Sequence, residues 1–264
     1  MFDKTMTLKS ADEIEILREN ALIVSRTLAE VAKYIKPGVS TLTLDKIAEE
    51  YIRAEGAVPG FKGYRGFPAT LCTSINEEVV HGIPGERVLK NGDIISIDCG
   101  CQKHGFFGDS AYTFPVGTVG EGVLMLLKRT RESLTKAIEV AVAGRRVGDI
   151  SAAVQEYVEG FGYSVVRELV GHGIGRQLHE KPDVPNYGRK GSGIKMQPGL
   201  VICIEPMINM GTKSVLQDHD GWTIRTADRM PSAHYELTVV VQKERADVLS
   251  TFKYIEEILG PSSI

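Results

Sequence analysis

Two stretches of this 264-residue chain share one sequence pattern, and each ends in a residue with a carboxylate side chain. Asn91–Asp98 reads as a turn followed by an apolar strand that ends on Asp98, and Pro198–Glu205 repeats the pattern 107 residues later and ends on Glu205. An ionised side chain at the end of a buried strand is costly unless a partner neutralises it. We therefore expect both carboxylates to serve one site, with a metal ion as the partner.

The repetition extends to a second pair of segments. Gly38–Gly56 aligns without gaps on Gly144–Gly162 at an offset of 106 residues. Similar helix patterning can arise by chance, but two separate segments with nearly the same offset favour a duplication. We predict a single α+β domain over residues 1–264, built from two pseudo-twofold-related halves at approximately 10–118 and 119–245, with the site between them.

Composition narrows the functional classes. The chain is 42% hydrophobic and 25% charged with a net charge of −3, which is ordinary for a soluble globular protein. There is no basic excess of the kind that binds nucleic acid or an anionic membrane surface. No apolar run approaches the length of a membrane span, and Met1–Ser10 lacks the apolar region of a secretory signal. We expect a cytoplasmic protein that binds neither nucleic acid nor membrane.

Apolar periodicity predicts four helices. Ser10 and Glu13 form a capping-box pattern before the first, whose apolar residues recur at steps of three and four until Pro37. Heptad spacing also suits a coiled coil, but without sustained charge pairing we favour a helix packed on a sheet. Further helices are predicted over 43–55, 121–142 and 149–161, a β-hairpin over 88–115, and mainly β structure over 163–245.

The predicted hairpin brings a second carboxylate close to Asp98. If Lys103 and His104 form its two-residue turn, Asp109 lies directly opposite Asp98, with Cβ atoms about 4.5–5.5 Å apart. Like charges so placed repel each other, and a shared cation removes the penalty. Asp109 alone could be an exposed turn residue, whereas Asp98 lies within an apolar run.

Two further segments complete a candidate metal site. His172 lies between glycines in Gly171–Gly175, where backbone can approach another group closely, and Glu236 precedes the apolar run Leu237–Val241. The candidates then comprise four carboxylates and one imidazole: Asp98, Asp109, His172, Glu205 and Glu236. This set is too acidic for a structural zinc site and suits two divalent ions that share bridging carboxylates.

Together these motifs resemble type I methionine aminopeptidase, which has the pita-bread fold. The resemblance spans roughly Ser10 to Val241 and rests on the Asp98 strand, Gly108-Asp109, the His172 and His179 segment, Glu205-Pro-Met and Tyr235-Glu236. It implies an α+β fold with a curved antiparallel sheet covered by helices. It also implies the five residues above as ligands of two divalent ions, for which manganese, iron, cobalt, zinc and nickel all stay open.

The resemblance further implies a reaction and the residues that perform it. An N-terminal methionine is removed from nascent proteins and peptides whose second residue is small. Glu205 is the implied general base, His179 stabilises the oxyanion, and His81 bonds to the scissile amide nitrogen. Taken alone, each histidine is more often a core or surface group than a site residue.

An apolar slot for methionine is implied by the same resemblance. Its lining residues would be Tyr64, Phe67, Cys72, Leu178 and Trp222. For Cys72 and Phe67 taken alone, we favour ordinary packing. Leu178 stands where an aromatic residue is common, Phe61 where a small residue or cysteine is common, and Leu237 where histidine often follows the last glutamate, so these positions bear on pocket shape.

Three other readings compete. An Xaa-Pro aminopeptidase or prolidase shares the ligand set but normally carries a large additional N-terminal domain, for which this chain has no room. A non-catalytic pita-bread binding protein would typically lack some ligands, and all five are present. A redox or zinc module on Cys99 and Cys101 has no second thiol pair, so we expect buried, reduced thiols.

The resemblance also indicates a bacterial type. Only 31 residues separate Glu205 from Glu236, which leaves no space for the helical insertion of type II enzymes. No zinc-finger extension precedes Ser10, as in the bacterial arrangement. We expect a monomer that acts on the N-terminal peptides of nascent proteins.

Overall fold

The computed structural model describes residues 6–260 of the chain. Within that range, five α-helices accompany fifteen strands, and every strand pairing is antiparallel. None of these helices combines the length and the apolar character needed to cross a membrane. The first five residues of Met1–Ser10, where we expected no secretory signal, lie outside the described residues, as do residues 261–264.

The helices are α1 Ala11–Ala32, α2 Thr41–Ala54, α3 Glu121–Val140, α4 Val147–Glu159 and α5 Lys253–Leu259. The first strands are β1 Val58–Pro59, β2 Leu71–Ile75, β3 Glu78–Val80, β4 Ile94–Lys103 and β5 Phe106–Pro115. The others are β6 Ser164–Val165, β7 Gly171–Gly173, β8 Glu180–Val184, β9 Val201–Ile204, β10 Met207–Asn209, β11 Val215–Gln217, β12 Ile224–Thr226, β13 Ser232–His234, β14 Leu237–Val240 and β15 Asp247–Val248.

The four predicted helices are confirmed. The Ser10 hydroxyl accepts from the Glu13 amide while the Glu13 carboxylate accepts from the Ser10 amide, which is the capping box expected from the sequence. Helix α1 ends at Ala32, several residues before Pro37. Helix α2 begins at Thr41 because the Ser40 hydroxyl caps it. Helix α5 was not predicted.

The hairpin is confirmed, but its predicted register is wrong by two residues. The turn is His104-Gly105, not Lys103-His104, and both residues have positive φ (54° and 76°), as a type I′ turn requires. Asp98 consequently pairs with Ala111, and Asp109 pairs with Gly100. The two carboxylates remain on one face as diagonal neighbours. Strand β4 also continues past Asp98 to Lys103, so Asp98 does not end its strand.

Helix α1 packs closely against this hairpin. A Cβ atom added at Gly108 would lie 2.5 Å from the backbone carbonyl carbon of Asn20 in α1, so only glycine permits this approach. The side-chain amide of Asn20 donates hydrogen bonds to the carbonyl oxygens of Ile16 and Lys103. The hairpin that carries two candidate ligands is therefore fixed against the longest helix within residues 6–260.

Two sheets meet at Glu236. Strands β1, β2, β4 and β5 form one sheet, and β15, β14, β9, β7 and β8 form another in that order. An antiparallel bridge between Ala111 and Glu236 joins them, with the Glu236 amide 2.9 Å from the Ala111 carbonyl oxygen. Hydroxyls reinforce this seam, because Ser110 donates to the Glu236 carbonyl at 2.7 Å and Thr238 to the Asp109 carbonyl at 2.9 Å.

The cysteines lie in the interior, as expected. Cys72, Cys99, Cys101 and Cys203 are all free and buried. Burial raises the pKa of Cys101 to about 12, so its thiol stays protonated and packs as a small apolar group. The alternative of a redox or zinc module on Cys99 and Cys101 therefore receives no support from their surroundings.

Candidate metal centre and active site

One cavity brings together all the predicted site residues. Its volume is about 430 Å³. Its lining includes every candidate ligand, both candidate catalytic histidines and the five candidate slot residues, namely Tyr64, Phe67, Cys72, His81, Asp98, Asp109, His172, Leu178, His179, Glu205, Trp222 and Glu236. Residues from distant parts of the chain therefore converge on a single concave site, as expected for a ligand-binding centre.

The glycines beside His172 permit a close backbone approach, as predicted. A Cβ atom at Gly171 would lie 2.4 Å from the carbonyl oxygen of Cys203, and one at Gly173 would lie 2.6 Å from that of Lys181. Strand β7 can therefore pack tightly between β8 and β9. This packing places the His172 Nε2 atom 3.5 Å from Glu205 Oε1.

The tautomer of His172 follows from its surroundings. Its Nδ1 atom lies 2.9 Å from the carbonyl oxygen of Gly173, which can only accept, so Nδ1 carries the proton. The Nε2 lone pair then faces Glu205 and also Asp109, whose Oδ2 atom is 3.8 Å away. Burial lowers the pKa of His172 to about 4, which keeps the ring neutral. A neutral imidazole oriented by a backbone carbonyl is the usual form of a metal ligand.

The carboxylates are too crowded to be ionised together without a cation. Burial, followed by the charges of Glu236, Asp98 and Glu205, raises the pKa of Asp109 well above its usual range. Burial also raises the pKa of Asp98 to about 6, and burial with the charge of Asp98 raises that of Glu205. Like charges that share a buried site repel each other, and a divalent cation inverts this effect.

Unpartnered oxygens support the same interpretation. Asp98 Oδ1, Asp109 Oδ1 and Glu236 Oε1 are buried, and none has a hydrogen-bond partner. Buried polar atoms are normally bonded, so three such oxygens on residues that line one cavity call for a further ligand. Carboxylate oxygens and one imidazole nitrogen are suitable donors for divalent metals, so the residues fit such ions.

A compact group of potential metal ligands includes one residue that the sequence did not suggest. Ligand atoms of Asp109, His172, Cys203 and Glu236 all lie within 4.8 Å of one another. Burial raises the pKa of the Cys203 thiol well above its usual range, and its Sγ atom is 3.5 Å from the Thr238 hydroxyl. A metal ligand would have to be the thiolate, so we interpret Cys203 as a protonated neighbour of the ligands.

His81 lies at the cavity in a strained backbone conformation. Its φ angle is 62°, which is uncommon outside glycine and clusters at functional sites. The following residue fixes this conformation, because the Gly82 carbonyl accepts from the Thr73 amide at 2.7 Å. Burial, with a smaller effect from His234, lowers the pKa of His81 to about 4.

Apolar side chains form one side of the cavity. Phe67, Cys72 and Leu178 are buried in one hydrophobic cluster that also includes Phe61. The Phe67 ring meets the Trp222 ring edge-on, with centroids 5.1 Å apart. Phe67, Cys72 and Leu178 therefore both pack in the hydrophobic core and line the cavity. The Phe61 ring covers Gly100, where a Cβ atom would lie 2.4 Å from the ring.

His234 is the principal lining residue that the sequence reasoning missed. Its side chain is buried, both of its ring nitrogens are unpartnered, and its Nε2 atom is 3.5 Å from Glu205 Oε2. A signal was available in the alternation of extended chain, because residues two apart face the same side. His234 and Glu236 both line the cavity, whereas Tyr235 between them packs in the core.

Comparisons with known proteins identify the family. The model of metallopeptidase family M24 matches residues 15–243. This chain belongs to metallopeptidase family M24. It is 51% identical to the methionine aminopeptidase of Clostridium acetobutylicum over 92% of the chain and 98% of that protein. It is 49% identical to methionine aminopeptidase 1 of Bacillus subtilis, again over 92% of the chain and 98% of the relative.

Solved structures of peptidases share the fold. The methionine aminopeptidase of Thermotoga maritima superposes with a TM-score of 0.92 at 40% identity, covering 93% of this chain and 99% of that one. The pita-bread fold expected from the sequence is thereby confirmed. An Xaa-Pro dipeptidase from Bacillus anthracis has a TM-score of 0.75 at 22% identity, which shows a shared fold alone. This chain covers only 62% of that protein.

Proposed function

We propose that this protein is a methionine aminopeptidase that uses divalent metal ions to remove N-terminal methionine when the second residue is small. The observation that carries the proposal is the convergence of four carboxylates and one imidazole, all buried or partly buried, on one cavity beside an apolar slot. The chain is about half identical to relatives named methionine aminopeptidase. M24 membership makes it a metal-dependent hydrolase.

Two ions are the occupancy that the donor set favours. Asp98, Asp109, His172, Glu205 and Glu236 would hold them, since four carboxylates exceed the charge that one divalent ion neutralises. Carboxylates and one imidazole accept manganese, iron, cobalt, zinc or nickel. When bound, the ions supply the Lewis acidity that makes water nucleophilic near neutral pH.

The side chains then divide the proton transfers. Glu205 takes the proton of the attacking water and passes it to the leaving amine, since its carboxylate lines the cavity together with the other candidate ligands. His81 accepts a hydrogen bond from the N–H group of the scissile amide. His179 stabilises the oxyanion that develops on the scissile carbonyl.

Selectivity for a chain's first residue follows from charge and shape. Asp98 receives the free α-amine, which only an N-terminal residue carries. The thioether side chain enters the slot formed by Tyr64, Phe67, Cys72, Leu178 and Trp222. Steric exclusion on the other side of the scissile bond limits the second residue to small side chains.

The proposed function also implies the substrates and the cellular compartment of this protein. Nascent proteins and their N-terminal peptides are the substrates, and a type I enzyme of bacterial character acting in the cytoplasm suits the free thiols. We propose a monomer with one catalytic domain over residues 1–264, built from halves at approximately 10–118 and 119–245.

A peptide assay tests the function directly. Peptides that begin Met-Ala and Met-Pro are compared with Xaa-Pro peptides, on protein stripped with chelator and on protein with metal restored. We expect cleavage after methionine only in the restored protein. Undiminished activity after complete metal removal would refute the mechanism, and cleavage of Xaa-Pro without a methionine preference would favour the prolidase-like alternative.

A further inference from the structure

The slot residue Tyr64 contacts a catalytic candidate. Its hydroxyl oxygen lies 2.9 Å from Nδ1 of His179, and the two rings are 5.3 Å apart with a 36° tilt. A neutral imidazole carries one N–H, and the partner of one nitrogen decides whether the other donates or accepts. Since Tyr64 engages Nδ1, Nε2 is the nitrogen left free for a ligand in the cavity.

Tyr64 is held in place by its own turn. The turn Tyr64–Gly66 is closed by hydrogen bonds from the Tyr64 amide to the Phe61 carbonyl at 2.9 Å and from the Gly63 amide to the Phe67 carbonyl at 2.8 Å. Positive φ angles at Gly63 and Gly66 make this tight loop possible. The Arg65 guanidinium also stacks over the Tyr64 ring.

His179 is anchored independently through the next residue. The Glu180 carboxylate pairs with Lys9 at 2.5 Å, and the Lys9 side chain is only 3% exposed. The other Glu180 oxygen accepts from the Gln177 amide at 3.2 Å. The backbone on both sides of His179 is therefore tied to the region before α1, so both partners of the Tyr64–His179 bond are fixed.

Comparison with the neighbouring His172 ring shows why it matters which partner donates in the Tyr64–His179 hydrogen bond. The rings of His172 and His179 are 4.3 Å apart. His172 donates through Nδ1 to a carbonyl oxygen, so its Nε2 carries a lone pair suited to a cation. A hydroxyl, unlike a carbonyl, can donate, so Tyr64 allows His179 the opposite tautomer.

We propose that Tyr64 is a positioning residue whose hydroxyl donates to Nδ1 of His179, so that the ring proton resides on Nε2 and faces the scissile carbonyl. This assignment rests on the proposed function for the identity of the acceptor. A lone pair on Nε2 would repel the developing oxyanion, whereas an N–H stabilises it. The two adjacent histidines thus hold opposite tautomers, one as a metal ligand and one as a hydrogen-bond donor.

The tautomer can be measured without turnover. In metal-free protein labelled with ¹⁵N-histidine, two-bond ¹⁵N–¹H spectra distinguish Nε2–H from Nδ1–H, and the His179→Asn variant assigns the signal. We expect Nε2–H in the wild type and a substantial Nδ1–H population in Tyr64→Phe. In metal-restored Tyr64→Phe, we expect kcat for a Met-Ala peptide to fall about 10- to 100-fold with a much smaller change in KM.

Phe67→Leu is the matched control. It alters the same apolar slot, but the Phe67 ring packs on Trp222, so KM should rise while the His179 tautomer stays as in the wild type. A wild-type His179 protonated on Nδ1, or unchanged tautomer populations in Tyr64→Phe, would overturn the inference even if the enzyme is active. Absence of methionine aminopeptidase activity together with the expected tautomer shift would instead refute the proposed function and the carbonyl acceptor.

Discussion

Glu205 is the residue at which metal binding and proton transfer meet. It follows β9, and the Asn186 amide holds its backbone carbonyl at 2.9 Å. Glu205→Gln keeps the volume but removes the base, so we expect kcat to fall about 10²- to 10⁴-fold while the protein stays folded. Turnover, circular dichroism and metal content check this. Loss of turnover in strict proportion to lost metal would show that Glu205 acts only as a ligand.

His81 should separate substrate contact from metal binding. It lines the cavity, but the compact group of Asp109, His172, Cys203 and Glu236 does not include it. We expect His81→Ala to lower kcat about 10²-fold or more with metal content near the wild-type value. The paired variant His172→Ala should lose metal. Loss of metal in His81→Ala, measured by elemental analysis, would contradict the proposed division of roles.

At the scale of elements, the β4–β5 hairpin connects helix packing to the site. Gly108→Ala places a Cβ atom against the α1 backbone, and a displaced strand would move the adjacent Asp109. We expect the free energy of unfolding to fall by about 1–3 kcal/mol and metal affinity to fall about tenfold or more. Chemical denaturation and calorimetric metal titration measure the two effects.

Gly105→Ala provides the control within the same hairpin. Gly105 has a φ of +76°, so alanine there costs about 1–2 kcal/mol of backbone strain, but its Cβ meets only the Arg176 side chain at 3.8 Å. We expect lower stability with unchanged metal affinity. Equal loss of metal affinity in both variants would mean that the hairpin turn, and not its approach to α1, positions Asp109.

The hairpin also shows what sequence patterns can and cannot specify. Helices α1 to α4 were predictable because capping residues and apolar periodicity are local signals. The register was not, because Lys103-His104 and His104-Gly105 are both plausible turns, and the positive φ at the second central residue favours Gly105. The error kept Asp98 and Asp109 on one face only because it was an even number of residues.

At the scale of the whole molecule, motif residues were predictable but their neighbours were not. The candidate ligands Asp98 and Glu205 could be picked out because carboxylates beside apolar runs stand out in a sequence. Cys203 could not, because its approach to His172 and Glu236 depends on how β7, β9 and β14 pair. His234 was overlooked although it lies two residues before Glu236 in extended chain, where both side chains face the same side. The unpartnered nitrogens of His234 become visible only once the sheets are assembled.

The crowded carboxylates should make the stability of metal-free protein depend on pH. Because the pKa of Asp109 is raised, the native state keeps a proton that the unfolded state loses near pH 4, so stability from this group is lost as pH rises. The pKa values of His81 and His172 are lowered to about 4. The contribution of these two groups to stability therefore increases as pH rises from about 4 to 6.5. Comparing Asp109→Asn with the wild type isolates the carboxyl, and we expect the metal-free variant to be more stable at pH 7.5, with a difference that shrinks towards pH 4.

Two controls sharpen the comparison of Asp109→Asn with the wild type: the addition of metal, and a substitution of Asp149, whose carboxyl lies in a different environment. Metal at 100 times its dissociation constant should stabilise the wild type by about 2.7 kcal/mol and the variant far less, which reverses or narrows the order at pH 7.5. Asp149 is the control, because its hydrogen bond from the Arg146 amide lowers its pKa, so its contribution is present above about pH 4 and is lost on acidification. Asp149→Asn should therefore be less stable than the wild type at pH 7.5 with or without metal. Denaturant unfolding across pH 4–8 measures the stability of both variants. If metal-free Asp109→Asn is no more stable than the wild type at pH 7.5, the carboxylates tolerate their shared charge without a cation.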